Sequence, residues 1–256
     1  MDKRRMDILG IPVDMVDMDR ALNVLDKLMA EDGCSMVVTP NSEIIIMAGK
    51  NRKLWEAIQS ADLVIPDGIG LVYASRLMGT PLRERVTGFD FLARALERLE
   101  EREESIFLLG SRPGEGDMPG VAQFAAARMK KKHPGLLIAG THHGYFTPEE
   151  EEGVIEKIND SHADFLCVAM GAPRQELFIM RNRGRLKCKV AIGVGGSLDV
   201  WAGNVKRAPE FWQRSGLEWL YRFIKEPSRY KRMGALPVFM IRTLMDSRKT
   251  RKRDTN

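Results

Sequence analysis

The sequence has little of the side-chain chemistry that metal sites and disulfide frameworks need. Its 256 residues include three cysteines and four histidines, and none of their spacings resembles a zinc site. The cysteines are odd in number and far apart, and each lies in or beside an apolar run. We therefore expect buried free thiols and no disulfide framework; the three are Cys34, Cys167 and Cys188.

Long apolar runs are also absent. No stretch reaches the roughly 18 apolar residues that a membrane-spanning helix needs. The first seven residues, MDKRRMD, are not followed by the apolar segment of a signal peptide. We therefore expect a cytoplasmic protein that is at most peripheral on the inner face of the cell membrane. With 44% hydrophobic and 29% charged residues, the composition is typical of a folded globular chain and excludes a mostly disordered one.

Charge is divided unevenly along the chain. Residues 222–256 hold eleven Lys or Arg against three Asp or Glu, whereas residues 1–221 hold 29 basic and 32 acidic residues. A basic segment of this kind points to an anionic partner, either nucleic acid or anionic lipid. The contrast predicts a main domain over residues 1–221 and a basic C-terminal appendage over residues 222–256.

Short runs rich in Val, Ile and Leu alternate with longer amphipathic stretches. This alternation predicts an α/β fold with a doubly wound, mostly parallel sheet, helices on both faces, and a helical appendage at the C-terminus. The predicted strands cover residues 7–13, 35–39, 62–66, 105–110, 136–141, 164–170 and 189–194. The predicted helices include residues 19–29, 119–132, 148–159 and 173–183, and one that opens at a capping box over 87–90 and runs toward 101.

Polar residues just beyond the strand ends are the first candidates for function, because ligands of such sheets bind at the carboxyl ends of the strands. Asp67 follows the apolar run 63–66 and precedes Gly68. One interpretation is that Asp67 caps a helix that begins near Ile69. Another is that it is a general base that accepts a proton from a hydroxyl group. The two roles are compatible, and both stay open at this point.

Four other features lie at predicted strand or helix ends. Thr39 and Asn41 are suited to orienting a sugar, although Asn41 also fits a helix cap. Arg85 can pair with a diphosphate or a carboxylate, or simply be solvated. Gln175 lies at a helix start, where backbone N–H groups favour an anion, or is a surface amide. The glycines of 193–196 allow the backbone to approach a ligand closely.

Two familiar phosphate-binding patterns fail here. No helix with G-x-G-x-x-G spacing follows the strand before Gly193, and residues 110–116 match neither that pattern nor the Walker A pattern. The acidic pair Asp17 and Asp19 resembles the paired acids of metal-dependent glycosyltransferases, but it opens a predicted helix. Helix capping is the favoured interpretation of that pair.

A series of short motifs runs in order from about residue 7 to residue 232. They are TPN at 39–41, DG at 67–68, RVTGFD at 85–90, HGYF at 143–146, GAPRQE at 171–176, the glycines of 193–196, AG at 202–203 with RAP at 207–209, and GLEW at 216–219. Each motif alone is weak, but the ordered series is specific. The chain resembles the WecG/TagA/CpsF family of bacterial glycosyltransferases.

The resemblance implies a Rossmann-like catalytic domain and an inverting sugar transfer. The donor would be a UDP-sugar, commonly UDP-N-acetylmannosamine or its acid. The acceptor would be N-acetylglucosamine linked to undecaprenyl diphosphate, a polyprenyl diphosphate on the cytoplasmic membrane face. The product would serve wall teichoic acid, enterobacterial common antigen or capsule. The resemblance also implies a reaction without metal or other cofactor, and self-association into a homo-oligomer in some members.

Residue by residue, the resemblance makes Asp67 the base, and it makes Thr39 and Asn41 the residues that orient donor or acceptor. Arg85 and Gln175 would contact sugar or diphosphate. The predicted nucleotide contacts are Tyr145, Gly193, Gly195 and Gly196. A separate hypothesis follows from the basic tail and not from the resemblance: if the tail folds over the site in the presence of lipid, Arg222, Arg229 or Arg232 would stabilise the diphosphate and complete the site.

The tail has an apolar stretch over residues 233–245 that is interrupted by Pro237 and Arg242 and followed by five basic residues before 254. This pattern suits an amphipathic segment lying among lipid headgroups, where each basic residue adds about 1 kcal/mol of attraction to anionic lipid. The other interpretation is that the stretch packs on the protein's own core. We favour contact with an anionic membrane surface and expect no nucleic-acid partner.

Two other functions remain open from the sequence. An NAD-linked oxidoreductase would share the fold class, although the dinucleotide motif is missing. A non-enzymatic membrane- or RNA-binding module would use the basic tail, with Tyr221, Phe223 and Tyr230 stacking on bases.

Overall fold

The fold is given by a computed structural model, which describes residues 4–225 and 234–254. The strands are β1 (Arg5–Ile8), β2 (Ile11–Asp14), β3 (Ser35–Val38), β4 (Leu63–Val64), β5 (Ser105–Gly110), β6 (Leu137–His142), β7 (Phe165–Ala169) and β8 (Val190–Gly193). The helices are α1 (Met18–Leu28), α2 (Ser42–Ala48), α3 (Arg52–Gln59), α4 (Ile69–Leu77), α5 (Gly88–Glu101), α6 (Val121–Lys132), α7 (Glu151–Asp160), α8 (Arg174–Asn182), α9 (Ser197–Trp201), α10 (Glu210–Arg214), α11 (Glu218–Lys225) and α12 (Ala235–Asp254).

Six strands form one sheet in the order β4-β3-β8-β7-β5-β6, and every neighbouring pair is parallel. Successive residues of a strand face opposite sides. In β3, Met36 and Val38 therefore belong to one core and Val37 to the other. Burial on both faces explains why these strands read as continuous apolar runs. The predicted α/β fold, a parallel sheet with helices on both faces, is confirmed.

The prediction of one strand over residues 7–13 is wrong. Two short strands, β1 and β2, pair antiparallel in a separate sheet. They are joined by Leu9 and Gly10, whose φ angles are 56° and 82°. A two-residue loop with positive φ at both positions is the turn that matches strand twist in a hairpin. Gly10 is also anchored, since its carbonyl accepts hydrogen bonds from Trp55 Nε1 and Gln59 Nε2, both at 2.8 Å.

Three helix starts predicted from the sequence are confirmed by their capping hydrogen bonds. Asp17 accepts from the backbone N–H of Arg20 at the start of α1, and Asn41 accepts from Ile44 at the start of α2. Thr87 accepts from the N–H of Asp90 at the start of α5. Asp17 is thus used as a helix cap, as the sequence favoured for the pair of acids at 17 and 19.

The C-terminal helix α12 packs against α2 and α4 of the main domain. Phe239 is fully buried in the core beneath these helices, and Thr243, one turn later, is buried beside it. Pro237 lies in the first turn of α12, where its missing N–H costs no hydrogen bond, so it does not interrupt the helix. The apolar stretch therefore does pack on the protein's own core along one face.

Other expectations concern the appendage, the membrane and the thiols. Helix α11 crosses position 221, and the boundary at 221/222 stays a prediction. Among the residues that the structure describes, no helix is long and apolar enough to cross a bilayer.

Cys34, Cys167 and Cys188 are buried free thiols, as predicted. Burial raises the pKa of Cys167 far above its ordinary value.

Candidate active site

The crevice at the ends of β3 and β8 is where the chain places most of the predicted site residues. These strands are neighbours, yet the helix after β3 (α2) packs into one core and the helix after β8 (α9) into the other. Connections that leave adjacent parallel strands toward opposite faces open a cleft at the carboxyl edge. The loops after β3, β4, β7 and β8 all reach this edge.

Thr39 lies at the centre of the crevice. Its hydroxyl donates to the carbonyl of Gly193 at 3.3 Å, which joins the end of β3 to the end of β8. The start of α5 closes on it from the other side, because a Cβ atom added to Gly88 would lie 3.0 Å from Thr39 Oγ1. Two loops and a helix start thus converge on one hydroxyl group.

The turn at Asp67 is joined to the loop that follows β3. The N–H of Asp67 donates to the carbonyl of Pro40 at 3.1 Å, and a Cβ atom on Gly68 would lie 3.7 Å from Asn41 Cβ. The residue that caps α4 is Gly68, with φ of 91° and without a side-chain capping bond. The N-cap position of α4 is therefore residue 68 and not Asp67. Asp67 is partly exposed and lies just beyond the carboxyl end of β4.

Arg85 is paired, and the solvated interpretation of this residue is wrong. Its Nη2 atom lies 3.1 Å from Glu218 Oε2, and the two side chains are 16% and 11% exposed. Glu218 begins α11, so this ion pair ties the C-terminal segment to the crevice. Gly216 reinforces the contact, because a Cβ atom there would come within 2.9 Å of Ile69 at the start of α4.

Gln175 is not the surface amide that one interpretation expected, since it is 3% exposed. Its Oε1 atom accepts hydrogen bonds from the N–H groups of Gly195, at 3.0 Å, and Gly171, at 3.2 Å. A Cβ atom added to Gly193 would lie 2.7 Å from Gln175 Nε2. The Gln175 amide therefore packs against the glycine loop and is hydrogen-bonded to it. Its role as a contact to sugar or diphosphate stays a prediction.

Gly193→Ala is expected to destabilise the fold by about 1–3 kcal/mol, because the added methyl group would press on an amide that is buried and hydrogen-bonded at both ends. Gly153→Ala is the matched control. It lies in α7, where an added Cβ meets nothing within 4 Å, and it is expected to be neutral or stabilising by up to about 1 kcal/mol. Urea unfolding of both variants measures the difference. Equal stabilities would contradict the close contact.

Tyr145 stands further along the same edge, in the loop between β6 and α7, and is largely exposed. Next to it, Gly144 is fixed by two contacts: its N–H donates to the carbonyl of Ser111 at 3.0 Å, and its carbonyl accepts from Arg174 Nη2 at 3.1 Å. A cavity of about 200 Å³ opens between this loop and α8. Its walls include the apolar side chains of Phe146, Met170, Leu177 and Phe178, together with Arg174, Arg181 and Glu151. Arg181 and Glu151 form an ion pair of 2.6 Å.

Two polar pairs at this edge were missed by sequence reasoning. Ser111, with φ of 57°, donates its hydroxyl to Asp199 Oδ2 at 3.2 Å across β5 and α9. Glu176 sits buried beside Gln175. The sequence offered one signal for each acid: Asp199 follows the glycines of 193–196, and Glu176 is the last residue of the motif GAPRQE. Non-glycine residues at positive φ are uncommon and concentrate at functional sites.

Arg207, which precedes the tail, is held by an ion pair in the first turn of α5. Arg207 Nη2 lies 2.6 Å from Asp90 Oδ2, and its guanidinium covers the ring of Phe89. Burial raises the pKa of Asp90, but the hydrogen bonds from Arg207 and Thr87 outweigh it and hold that pKa below its ordinary value. Of the three tail arginines, Arg229 and Arg232 lie outside the described residues, as does the side chain of Arg222.

Within residues 4–225 and 234–254, no three His, Cys, Asp or Glu side chains lie close enough together to hold a metal ion. The crevice instead offers a carboxylate, a hydroxyl, an amide and a paired guanidinium beside a glycine loop. This set can orient a hydroxyl group, accept a proton and contact an anionic leaving group.

The sequence profile of the family described as "Glycosyl transferase WecG/TagA/CpsF family" matches residues 6–253, which is nearly the whole chain. The chain belongs to this family. It is therefore a glycosyltransferase, and the resemblance drawn from the ordered motifs is confirmed. The oxidoreductase and the non-enzymatic binding module are set aside on this ground.

Individual relatives carry one common name, N-acetylglucosaminyldiphosphoundecaprenol N-acetyl-beta-D-mannosaminyltransferase. The protein of this name from Bacillus spizizenii W23 is 38% identical over 85% of this chain and 82% of its own length. The one from Bacillus subtilis 168 is 33% identical over 94% of this chain and 91% of its own length. The one from Staphylococcus aureus MRSA252 is 32% identical over 97% of this chain and 95% of its own.

Proposed function

We propose that this member of the WecG/TagA/CpsF family transfers N-acetylmannosamine, or a closely related sugar, from a UDP-sugar to N-acetylglucosamine linked to undecaprenyl diphosphate. The names of the relatives support the acceptor and the sugar. The observation that carries the proposal is the placement of Asp67, partly exposed at the crevice and joined by its backbone to the Thr39–Asn41 loop.

In the proposed reaction, Asp67 takes the proton from the attacking hydroxyl of the acceptor. The acceptor oxygen then bonds to the anomeric carbon of the donor sugar from the face opposite the diphosphate. The bond from that carbon to the diphosphate oxygen breaks, and UDP leaves with the electron pair. One displacement inverts the configuration at the anomeric carbon. Thr39 and Asn41 stand on either side of Pro40 in the chain, whose carbonyl accepts from the N–H of Asp67, and they are suited to orienting the two sugars.

The leaving diphosphate needs positive charge close by. Arg85 is suited to this task, because its guanidinium is already ordered at the crevice by Glu218. The glycine loop at 193–196 lets the backbone approach the phosphates closely. The cavity beside Tyr145 is lined by apolar side chains, by Arg174, and by Arg181 in an ion pair with Glu151, and this mixed lining is suited to the nucleoside. No metal enters the proposed reaction, so chelation with EDTA is expected to leave the rate unchanged.

The test is a transfer assay with a panel of UDP-sugars and a lipid-linked N-acetylglucosamine acceptor. Product is expected with UDP-N-acetylmannosamine or its acid, with release of one UDP per sugar transferred. Thermal stabilisation by UDP but not by NAD is expected in parallel. Failure of every UDP-sugar to give product, with the protein folded, would refute the proposal.

The second part of the proposal is that α12 brings the enzyme to the membrane surface where its acceptor resides. Opposite the buried face of Phe239, α12 exposes Val238, Ile241 and Met245, at spacings of three and four residues. Residues on such spacings share one helix face. Basic residues follow at 248–253. An exposed apolar face followed by basic charge is the composition of a helix that lies among anionic headgroups.

Replacing Ile241 and Met245 together by Glu is expected to weaken binding to anionic vesicles at least tenfold, because each buried apolar side chain contributes about 1.5–3 kcal/mol. These side chains are 55% and 61% exposed, so the fold should tolerate the change. Met118→Glu, equally exposed but in the loop between β5 and α6, is the control and should leave binding unchanged. Co-sedimentation with vesicles of phosphatidylglycerol measures the effect. Undiminished binding of the double variant would contradict a role for this face.

A further inference from the structure

Glu176 is a buried carboxyl group that the proposed reaction does not use. It lies in the first turn of α8 and is 2% exposed. Its Oε1 atom accepts a hydrogen bond from Gln175 Nε2 at 2.8 Å. Its Oε2 atom is buried and has no hydrogen-bond partner. Burying a carboxyl group in this way costs free energy, so the placement of Glu176 calls for a physical reason.

The reason lies in the neighbouring amide. Gln175 faces three partners at once: its oxygen accepts from the N–H groups of Gly171 and Gly195, and its nitrogen donates to Glu176. If the amide turned over, its NH₂ group would face both N–H groups and its oxygen would face the carboxyl group. Three hydrogen bonds would be replaced by donor–donor and acceptor–acceptor contacts. Glu176 thus supplies the one acceptor in this set.

The two loops that meet at Gln175 are those that follow β7 and β8. Gly171 and Gly195 both have positive φ, 75° and 52°. Because glycine can adopt many other backbone conformations, hydrogen bonds are needed to hold the two loops in this one. Gly193, at the end of β8, packs directly on the amide, and its carbonyl accepts from Thr39. A displaced amide would therefore move the loop and the hydroxyl at the centre of the crevice.

We propose that Glu176 is a positioning residue: it fixes the orientation of the Gln175 amide, which in turn holds the loops at Gly171 and Gly195 in the shape that receives the UDP diphosphate. The role in receiving UDP rests on the proposed function, whereas the orientation of the amide does not. Without an acceptor at position 176, the Gln175 nitrogen is left buried and unpaired. The amide can recover a partner only by moving toward water, and the loops bound to its oxygen then lose their anchor.

The charge of Glu176 is not what the inference needs. Burial raises the pKa of Glu176, although the hydrogen bond from Gln175 acts in the opposite direction. A carbonyl oxygen of the same shape would accept the same bond. Glu176→Gln keeps that oxygen, whereas Glu176→Met fills the space and removes it. The two variants separate the acceptor from simple packing.

The first measurement is amide hydrogen exchange, which needs no ligand. Glu176→Met is expected to speed exchange at Gly171 and Gly195 about tenfold, while the amides of β5, which is paired on both sides by β7 and β6, keep wild-type rates. Glu176→Gln should stay within about twofold of wild type. Unchanged exchange at both glycines in a folded Glu176→Met protein would overturn the inference, whatever the nucleotide results.

The second measurement is the dissociation constant for UDP in five proteins: wild type, Glu176→Met, Glu176→Gln, Gln175→Ala and the double variant Gln175→Ala with Glu176→Met. We expect Glu176→Met to weaken UDP binding about tenfold and Glu176→Gln to restore it. The double variant should bind no more weakly than Gln175→Ala, because the effect of Glu176 passes through that amide. Additive losses would overturn the inference. A wild-type chain that binds no UDP, with exchange altered as expected, would refute the proposed function alone.

Discussion

Asp67→Asn is expected to lower the turnover of sugar transfer by about 10²–10⁴-fold, the usual contribution of a general base. Asparagine has the shape of aspartate but cannot accept the proton of the attacking hydroxyl. The position should be kept, because the backbone of Asp67 is fixed by its bond to Pro40 and by the turn at Gly68. The variant should therefore bind UDP-sugar with an affinity close to that of the wild type.

Turnover and donor affinity are to be measured together, so that a binding defect is not mistaken for a lost base. Asp19→Asn is the matched control. It makes the same chemical change in the acidic pair at the start of α1, where Asp19 is exposed, and should leave turnover unchanged. If Asp67→Asn retained more than about a tenth of wild-type turnover, the proton would have to go to another group.

The parallel sheet could be predicted from the sequence because its strands are buried on both faces. β5 and β7, for example, consist almost entirely of buried apolar residues, and such runs stand out between amphipathic helices. The hairpin at the N-terminus could not be predicted in the same way. Its turn depends on positive φ at Leu9, and leucine is not a residue that signals such a turn.

Some parts of the candidate site could be predicted from the sequence and others could not. The strand-end rule brought Thr39, Asn41 and Asp67 together correctly, because it depends only on chain order in a parallel sheet. Pairings between distant segments were out of reach. Arg85 and Glu218 are 133 residues apart, and Ser111 and Asp199 are 88 apart. Nothing local to either residue of such a pair specifies the other.

The burial of Gln175 shows why a helix start is ambiguous in sequence. The first turn of a helix at a sheet edge can face a ligand or the loop beneath it, and both call for polar side chains. Here the N–H groups of the glycines at 171 and 195 donate to the amide oxygen, so the structure shows the contact with the loops, and contact with a ligand stays a prediction. The motif GAPRQE carries this arrangement, yet its geometry appears only when β7 and β8 are neighbours.

Arg85→Ala is expected to lower turnover by about 10²–10³-fold, since it removes a positive charge that is proposed to face the developing diphosphate. The expected loss is in turnover more than in donor affinity, because the negative charge on the leaving group grows as the bond breaks. Glu218→Gln should have the same kind of effect but a smaller one, about tenfold. The guanidinium would keep its charge and lose its charge-assisted partner.

The decisive comparison is the double variant of Arg85→Ala with Glu218→Gln. If Glu218 acts by orienting Arg85, the double variant should turn over no more slowly than Arg85→Ala alone. Arg183→Ala is the control, because its ion pair with Asp62 is similarly close, at 2.8 Å. Asp62 lies just before β4, at the amino-terminal end of that strand, whereas the crevice lies at the carboxyl ends. Losses that multiply in the double variant would mean that Glu218 acts independently of Arg85. The C-terminal segment would then reach the reaction by another route than this guanidinium.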